Sequence, residues 1–168
     1  MIGGQCIKFG DSVNTDIIIP ARYLISIEPK ELGEHAFEPL GPQVQERLRH
    51  SQVVVAGINF GCGSAREQAA SCLIGAGVKV VIAKSFARVF FRNSINTGLP
   101  AVVCPEAVDA VADGDQVFVD MTAGTITAGQ KVFHFAAYPA SLRQILDAGG
   151  LLPYVTRHVV GKGDQKHG

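Results

Sequence analysis

The sequence predicts one α/β domain on a mixed sheet, parallel at its centre and antiparallel towards the C-terminus. Short apolar runs, Val53-Val54-Val55, Val80-Val81-Ile82 and Ala101-Val102-Val103, alternate with helical stretches. Their short connections imply parallel strands in a βαβαβ unit with right-handed crossovers. Beyond them, residues 116–121, 125–127 and 131–135 are short segments separated by glycine-containing turns. That spacing predicts an antiparallel hairpin or meander.

The elements follow in order. Residues 10–16 cluster turn formers, among them Gly10, Asp11, Ser12 and Asn14, before Ile17-Ile18-Ile19 and Pro20. Residues 30–38 and 42–50 read as short helices, separated by Pro39, Gly41 and Pro42. Residues 52–56 contain Val53-Val54-Val55, a short apolar run with the pattern of a buried strand. A turn with Gly57, Gly61 and Gly63 leads to Ser64 and a helix over 65–74, ended by Gly75 and Gly77. A strand over 79–83 and a helix over 86–96 follow, the latter stopped by Gly98 and Pro100. The last helix, 141–148, opens on the capping pattern Ser141-x-x-Gln144 and closes on Gly149-Gly150. The tail from Gly161 to 168 is expected to fray.

The chain has 168 residues, a length for one domain. With 47% hydrophobic and 18% charged residues it can build a sizeable core. Its formal net charge is zero and no Lys/Arg run stands out, which argues against a nucleic-acid partner. No apolar stretch approaches the ~20 residues that span a bilayer. The first ten residues lack the pattern of a signal peptide, so a cytoplasmic location is expected. Cys6, Cys62, Cys72 and Cys104 form no Cys-x-x-Cys pair, and their spacing predicts reduced thiols rather than a metal site.

The chemistry concentrates in the glycine-rich turn. A strand that passes through glycines into a helix start gathers unpaired N–H groups and the positive end of a helix dipole. Such a place attracts anions. Arg66 adds a guanidinium suited to a carboxylate. Ser64 has two readings. Ser64-Ala65-Arg66-Glu67 fits a capping box, which makes the serine structural. Alternatively it is a base or nucleophile, which requires a field that lowers its pKa. No His–Asp partner stands at a fixed spacing, so a Ser-His-Asp hydrolase is unsupported. The turn also lacks the ending of a P-loop and the third glycine of a dinucleotide fingerprint.

These residues also carry a resemblance. Asn59-Phe60-Gly61-Cys62-Gly63-Ser64-Ala65-Arg66-Glu67, residues 81–88 and Arg92-Asn93-Ser94-Ile95-Asn96 resemble the swivel domain of the aconitase superfamily. Asn14-Thr15-Asp16-Ile17-Ile18-Ile19-Pro20-Ala21-Arg22-Tyr23-Leu24 is similar to its N-terminal motif. The likeness covers about residues 3 to 155 and points to the separate small subunits of 3-isopropylmalate dehydratase and homoaconitase. The resemblance implies an aconitase-type swivelling domain and a hydro-lyase that dehydrates and rehydrates 2- or 3-hydroxy acids. It implies no cofactor in this chain and a large-subunit partner that carries a [4Fe–4S] cluster, without which the chain is inactive.

The resemblance also assigns roles. Ser64 matches the serine that removes a carbon-bound proton, and Asp16 matches an acid beside the site. Arg66, with Ala65 and Gly63, matches the substrate-carboxylate site. Arg22, Tyr23, Leu24 and Ile25 match a loop that selects the variable arm of the substrate. Leu24-Ile25 tilts that choice to the apolar arm of isopropylmalate, hence to leucine biosynthesis; with Arg22 nearby, a carboxylate arm as in homocitrate, hence lysine biosynthesis, stands as the alternative. Two departures stand out, Ala65 for a second serine and Gln68 for a histidine. They leave a substituted-malate dehydratase open, and a stand-alone module binding carboxylate or phosphate is the reading from another class. Arg88 and Arg92 share one helix face, which reads as solvated or as contact with the partner or substrate cavity. No histidine is given a role.

Overall fold

The computed structural model describes residues 1–160. The expected frayed tail at 161–168 lies outside the described residues. Seven strands form one mixed sheet: β1 (Ile2–Lys8), β2 (Val53–Ala56), β3 (Val80–Ala83), β4 (Ala101–Val103), β5 (Gln116–Asp120), β6 (Thr125–Ala128) and β7 (Lys131–His134), in spatial order β4-β3-β2-β1-β5-β6-β7. The pairings β1–β2, β2–β3 and β3–β4 are parallel. The pairings β1–β5, β5–β6 and β6–β7 are antiparallel. The mixed sheet is as the sequence predicts.

The joint between the two halves is β1, a strand absent from the sequence prediction. Residues Ile2 to Gln5 pair with β5, and Cys6 to Lys8 pair with β2. Gly3 and Gly4 hide this strand from periodicity, because glycine in a strand offers no side chain to pack. A Cβ on Gly3 would lie 2.1 Å from the Val117 carbonyl oxygen, so only glycine fits against β5 there.

Eight α-helices lie among the described residues: α1 (Thr15–Ile18), α2 (Pro29–Gly33), α3 (Pro42–Arg49), α4 (Glu67–Gly75), α5 (Arg88–Thr97), α6 (Pro105–Ala110), α7 (Ala140–Asp147) and α8 (Leu151–Val155). Alternate residues of the parallel strands face two cores. Ile7, Val54, Ala56, Val81 and Ala83 pack with Leu73, Phe60, Phe37 and Phe90 on one face. Cys6, Val53, Val55, Val80 and Ile82 pack with Val108, Val117 and Ile126 on the other. Strands buried on both faces explain the continuous apolar runs.

Several predicted boundaries are corrected. The helix expected over 30–38 stops at Gly33, because buried Phe37 takes a left-handed conformation at φ 55° before a 3₁₀ turn at Glu38–Leu40. The helix expected from Ala65 begins at Glu67 with Arg66 as an extended N-cap, so Ser64 caps nothing. The last helix is capped by Pro139 without a side-chain bond, which removes the box expected of Ser141. Helices α1, α6 and α8 were not predicted. Among the described residues no helix is long and apolar enough to cross a membrane.

Candidate active site

The parallel strands place the ends of β1, β2 and β3 along one sheet edge, where ligands gather in open α/β sheets. The loops after these strands are sewn together. Ser12 N–H donates to Ile58 O at 2.8 Å, Gly61 N–H to Val13 O at 2.8 Å and Thr15 N–H to Cys62 O at 2.9 Å. The loop after β3 joins on the other side, with Phe60 N–H donating to Ser85 O at 3.0 Å and Asn59 N–H to Ser85 Oγ at 2.7 Å. The glycine-rich turn is thus braced on both flanks.

This bracing positions Ser64. Thr15 is buried, and its hydroxyl donates to the Ser64 carbonyl at 2.9 Å. That contact anchors Ser64 in the bend ahead of the helix rather than on it. The Ser64 side chain stands in the open, with no hydrogen-bond partner for its hydroxyl among the described residues. Gly63 sits at φ 92°, and a Cβ there would lie 2.7 Å from the Asn14 side chain. Asn14 is engaged, since its side-chain oxygen accepts from Asp16 N–H at 2.8 Å and caps α1.

Arg66 closes the arrangement. Its side chain is only 14% exposed, and it forms an ion pair with Asp16. It also donates to Ile19 O at 3.2 Å. Both contacts use Nη1. A guanidinium has five donors, and the Nε–Nη2 edge has no described partner, so it remains available for a carboxylate. Asp16, Gly63, Ser64, Ala65 and Arg66 therefore come together.

The loop residues form a second group. Arg22 bonds Glu38 through Nη2. The Tyr23 hydroxyl lies 2.6 and 2.8 Å from the two Glu38 oxygens and donates to that carboxylate. His35 Nδ1 is 2.8 Å from Glu38, and its ring stacks on Tyr23 at 3.7 Å between centroids. The Tyr23 hydroxyl, then His35 and Arg22, hold the Glu38 carboxyl down at about 2. Leu24 packs against the core, whereas Ile25 is 96% exposed. Glu38 and His35 were not singled out in the sequence. Their i, i+3 spacing was the available signal, but it falls across the unexpected turn at Phe37.

Other candidates lie apart. Cys6, Cys72 and Cys104 are buried, and desolvation pushes the Cys72 thiol up to about 12. Among the described residues no cluster of His, Cys, Asp or Glu is placed to hold a metal. Arg88 and Arg92 line a cleft with Leu142 of α7 and join neither group.

Residues 39–107 match the Aconitase C-terminal domain family. The 3-isopropylmalate dehydratase small subunit of Heliobacterium modesticaldum is 50% identical over 163 residues, 95% of this chain and 98% of the relative. The chain belongs to the 3-isopropylmalate dehydratase small-subunit family. The family member from Saccharolobus islandicus is 45% identical over 157 residues, covering 94% and 95% of the two chains. The crystal structure of 3-isopropylmalate dehydratase from Methanocaldococcus jannaschii superposes with a TM-score of 0.89 at 39% identity, covering 98% of both chains. The family fold is therefore the one described above.

Proposed function

We propose that this chain is the small subunit of a 3-isopropylmalate dehydratase, a hydro-lyase of leucine biosynthesis. The observation that carries the reading is the near-full-length identity to subunits of that name. Neither a homoaconitase nor a stand-alone binding module is favoured by these relatives.

In this reading a large subunit carries the [4Fe–4S] cluster, which supplies Lewis-acid chemistry at the departing hydroxyl. The residues of this chain supply the rest. Arg66 binds a substrate carboxylate through its free edge, and Asp16 orients the guanidinium. Ser64, deprotonated, takes the proton from carbon. The C–O bond to the adjacent carbon breaks and a C=C bond forms; the departing hydroxide and the proton taken up by Ser64 together make up the one water lost, and giving up that proton returns Ser64 to its starting form. Adding water back in the opposite sense moves the hydroxyl to the neighbouring carbon. Gly63 leaves room for the substrate to approach the backbone.

The test is reconstitution. This chain mixed with a cluster-bearing large subunit should isomerise 3-isopropylmalate, and neither chain should do so alone. An inactive mixture, with the cluster verified by its absorbance, would refute the reading.

A further inference from the structure

Arg22 is the one cation between Pro20 and Glu28, the stretch proposed to meet the variable arm of the substrate. An unopposed guanidinium there would favour a carboxylate arm. The structure opposes it. Glu38 lies outside that stretch, yet both of its oxygens face the Arg22–Tyr23 pair. The Arg22 guanidinium also rests 4.7 Å from the Tyr23 ring centroid, so cation, phenol and carboxylate form one compact group.

The position of Glu38 is built into the fold. Its neighbour Phe37 is fully buried and stacks on Phe9 at 4.3 Å between centroids. Phe37 N–H donates to Ile18 O at 2.9 Å, which ties this turn to the end of α1. A non-glycine residue at φ 55° is costly and persists only where packing enforces it. Here the enforced conformation turns the chain so that Glu38 meets Arg22. The outward residues of the same loop, Ile25 and Ile27, are apolar and 96% and 78% exposed. With its cation cancelled, the loop offers an alkyl surface.

We infer that Glu38 is a specificity-determining positioning residue, which cancels Arg22 and so selects an uncharged alkyl arm over a carboxylate arm. The inference rests on the dehydratase reading above. Glu38, as an ordinary carboxylate would be, is ionised throughout the neutral range, and its three partners push its carboxyl lower still. The cancellation is therefore permanent under working conditions.

The experiment uses the reconstituted complex and two substrates, 3-isopropylmalate and a malate whose isopropyl group is replaced by carboxymethyl. The readout is the ratio of their kcat/KM values. Glu38→Gln should move the ratio towards the carboxylate arm by about tenfold or more, and adding Arg22→Gln should reverse that gain. If Glu38→Gln does not assemble, Arg22→Gln alone leaves Glu38 uncompensated and should move the ratio further towards the alkyl arm. A ratio unmoved in an assembled variant, with both substrates falling together, would reduce Glu38 to a structural role and overturn the inference. That outcome leaves the dehydratase reading intact. A wild-type complex that turns over neither substrate would instead overturn the reading itself and the inference with it.

Discussion

Arg66 and Asp16 form an ion pair that ties the segment after β2 to the helix after β1. The guanidinium is nearly buried while the carboxylate is 58% exposed. An asymmetric pair of this kind contributes modestly to stability, about 1 kcal/mol or less. Its larger effect is to fix the direction of the free Nε–Nη2 edge.

Asp16→Asn should therefore leave the fold nearly unchanged and damage binding. Thermal unfolding of the variant should stay within a few degrees of the parent. In the reconstituted complex kcat/KM should fall by about ten- to a hundredfold, equivalent to about 1–3 kcal/mol. A variant with full activity would show that Arg66 needs no orienting partner.

Gly63→Ala should be costly for a separate reason. The position has φ 92°, and the new methyl would press on the Asn14 side chain at 2.7 Å. Strain and contact together should cost about 1–3 kcal/mol, read by denaturant unfolding. The loop after β1 should also loosen, which faster amide exchange at Thr15 and Asp16 would report. An unchanged unfolding curve would mean that the turn relaxes freely.

Stability should depend on acid in a defined window. Glu38 is lowered from the ordinary 4.5 to about 2 by Tyr23, His35 and Arg22. A depressed carboxyl adds stability above its unfolded value, and that contribution disappears as pH falls through the folded value. The contribution of Glu38 should thus be whole above pH 4.5 and lost towards pH 2. Melting temperatures measured across that window should fall more steeply for the parent than for Glu38→Gln. Parallel curves would show that the three partners do not favour the ionised form.

Much of this was legible in the sequence, for identifiable reasons. Val53–Ala56 and Val80–Ala83 are buried on both faces, so their apolar runs announce parallel strands directly. β1 was silent because Gly3 answers to the close approach of β5 and Gly4 to the Gln52 side chain, tertiary demands that leave no periodicity. Ser64 and Glu67 have capping-box spacing, yet the Thr15 hydroxyl holds Ser64 off the helix. Local propensity lost there to a long-range hydrogen bond. The grouping of Asp16 with Arg66 followed from the resemblance, whereas the Glu38 cluster needed the left-handed turn at Phe37, which no local pattern signals.

The exposed Ser64 hydroxyl, held in place through its carbonyl, is the proposed base of the dehydratase. Ser64→Ala removes only that hydroxyl, because Thr15 bonds the backbone and not the side chain. The decisive measurement is turnover of 3-isopropylmalate by the Ser64→Ala complex, with assembly checked by size-exclusion chromatography. The expected result is an intact complex whose kcat has fallen by about a thousandfold or more. An intact complex that turns over at the parent rate would contradict it.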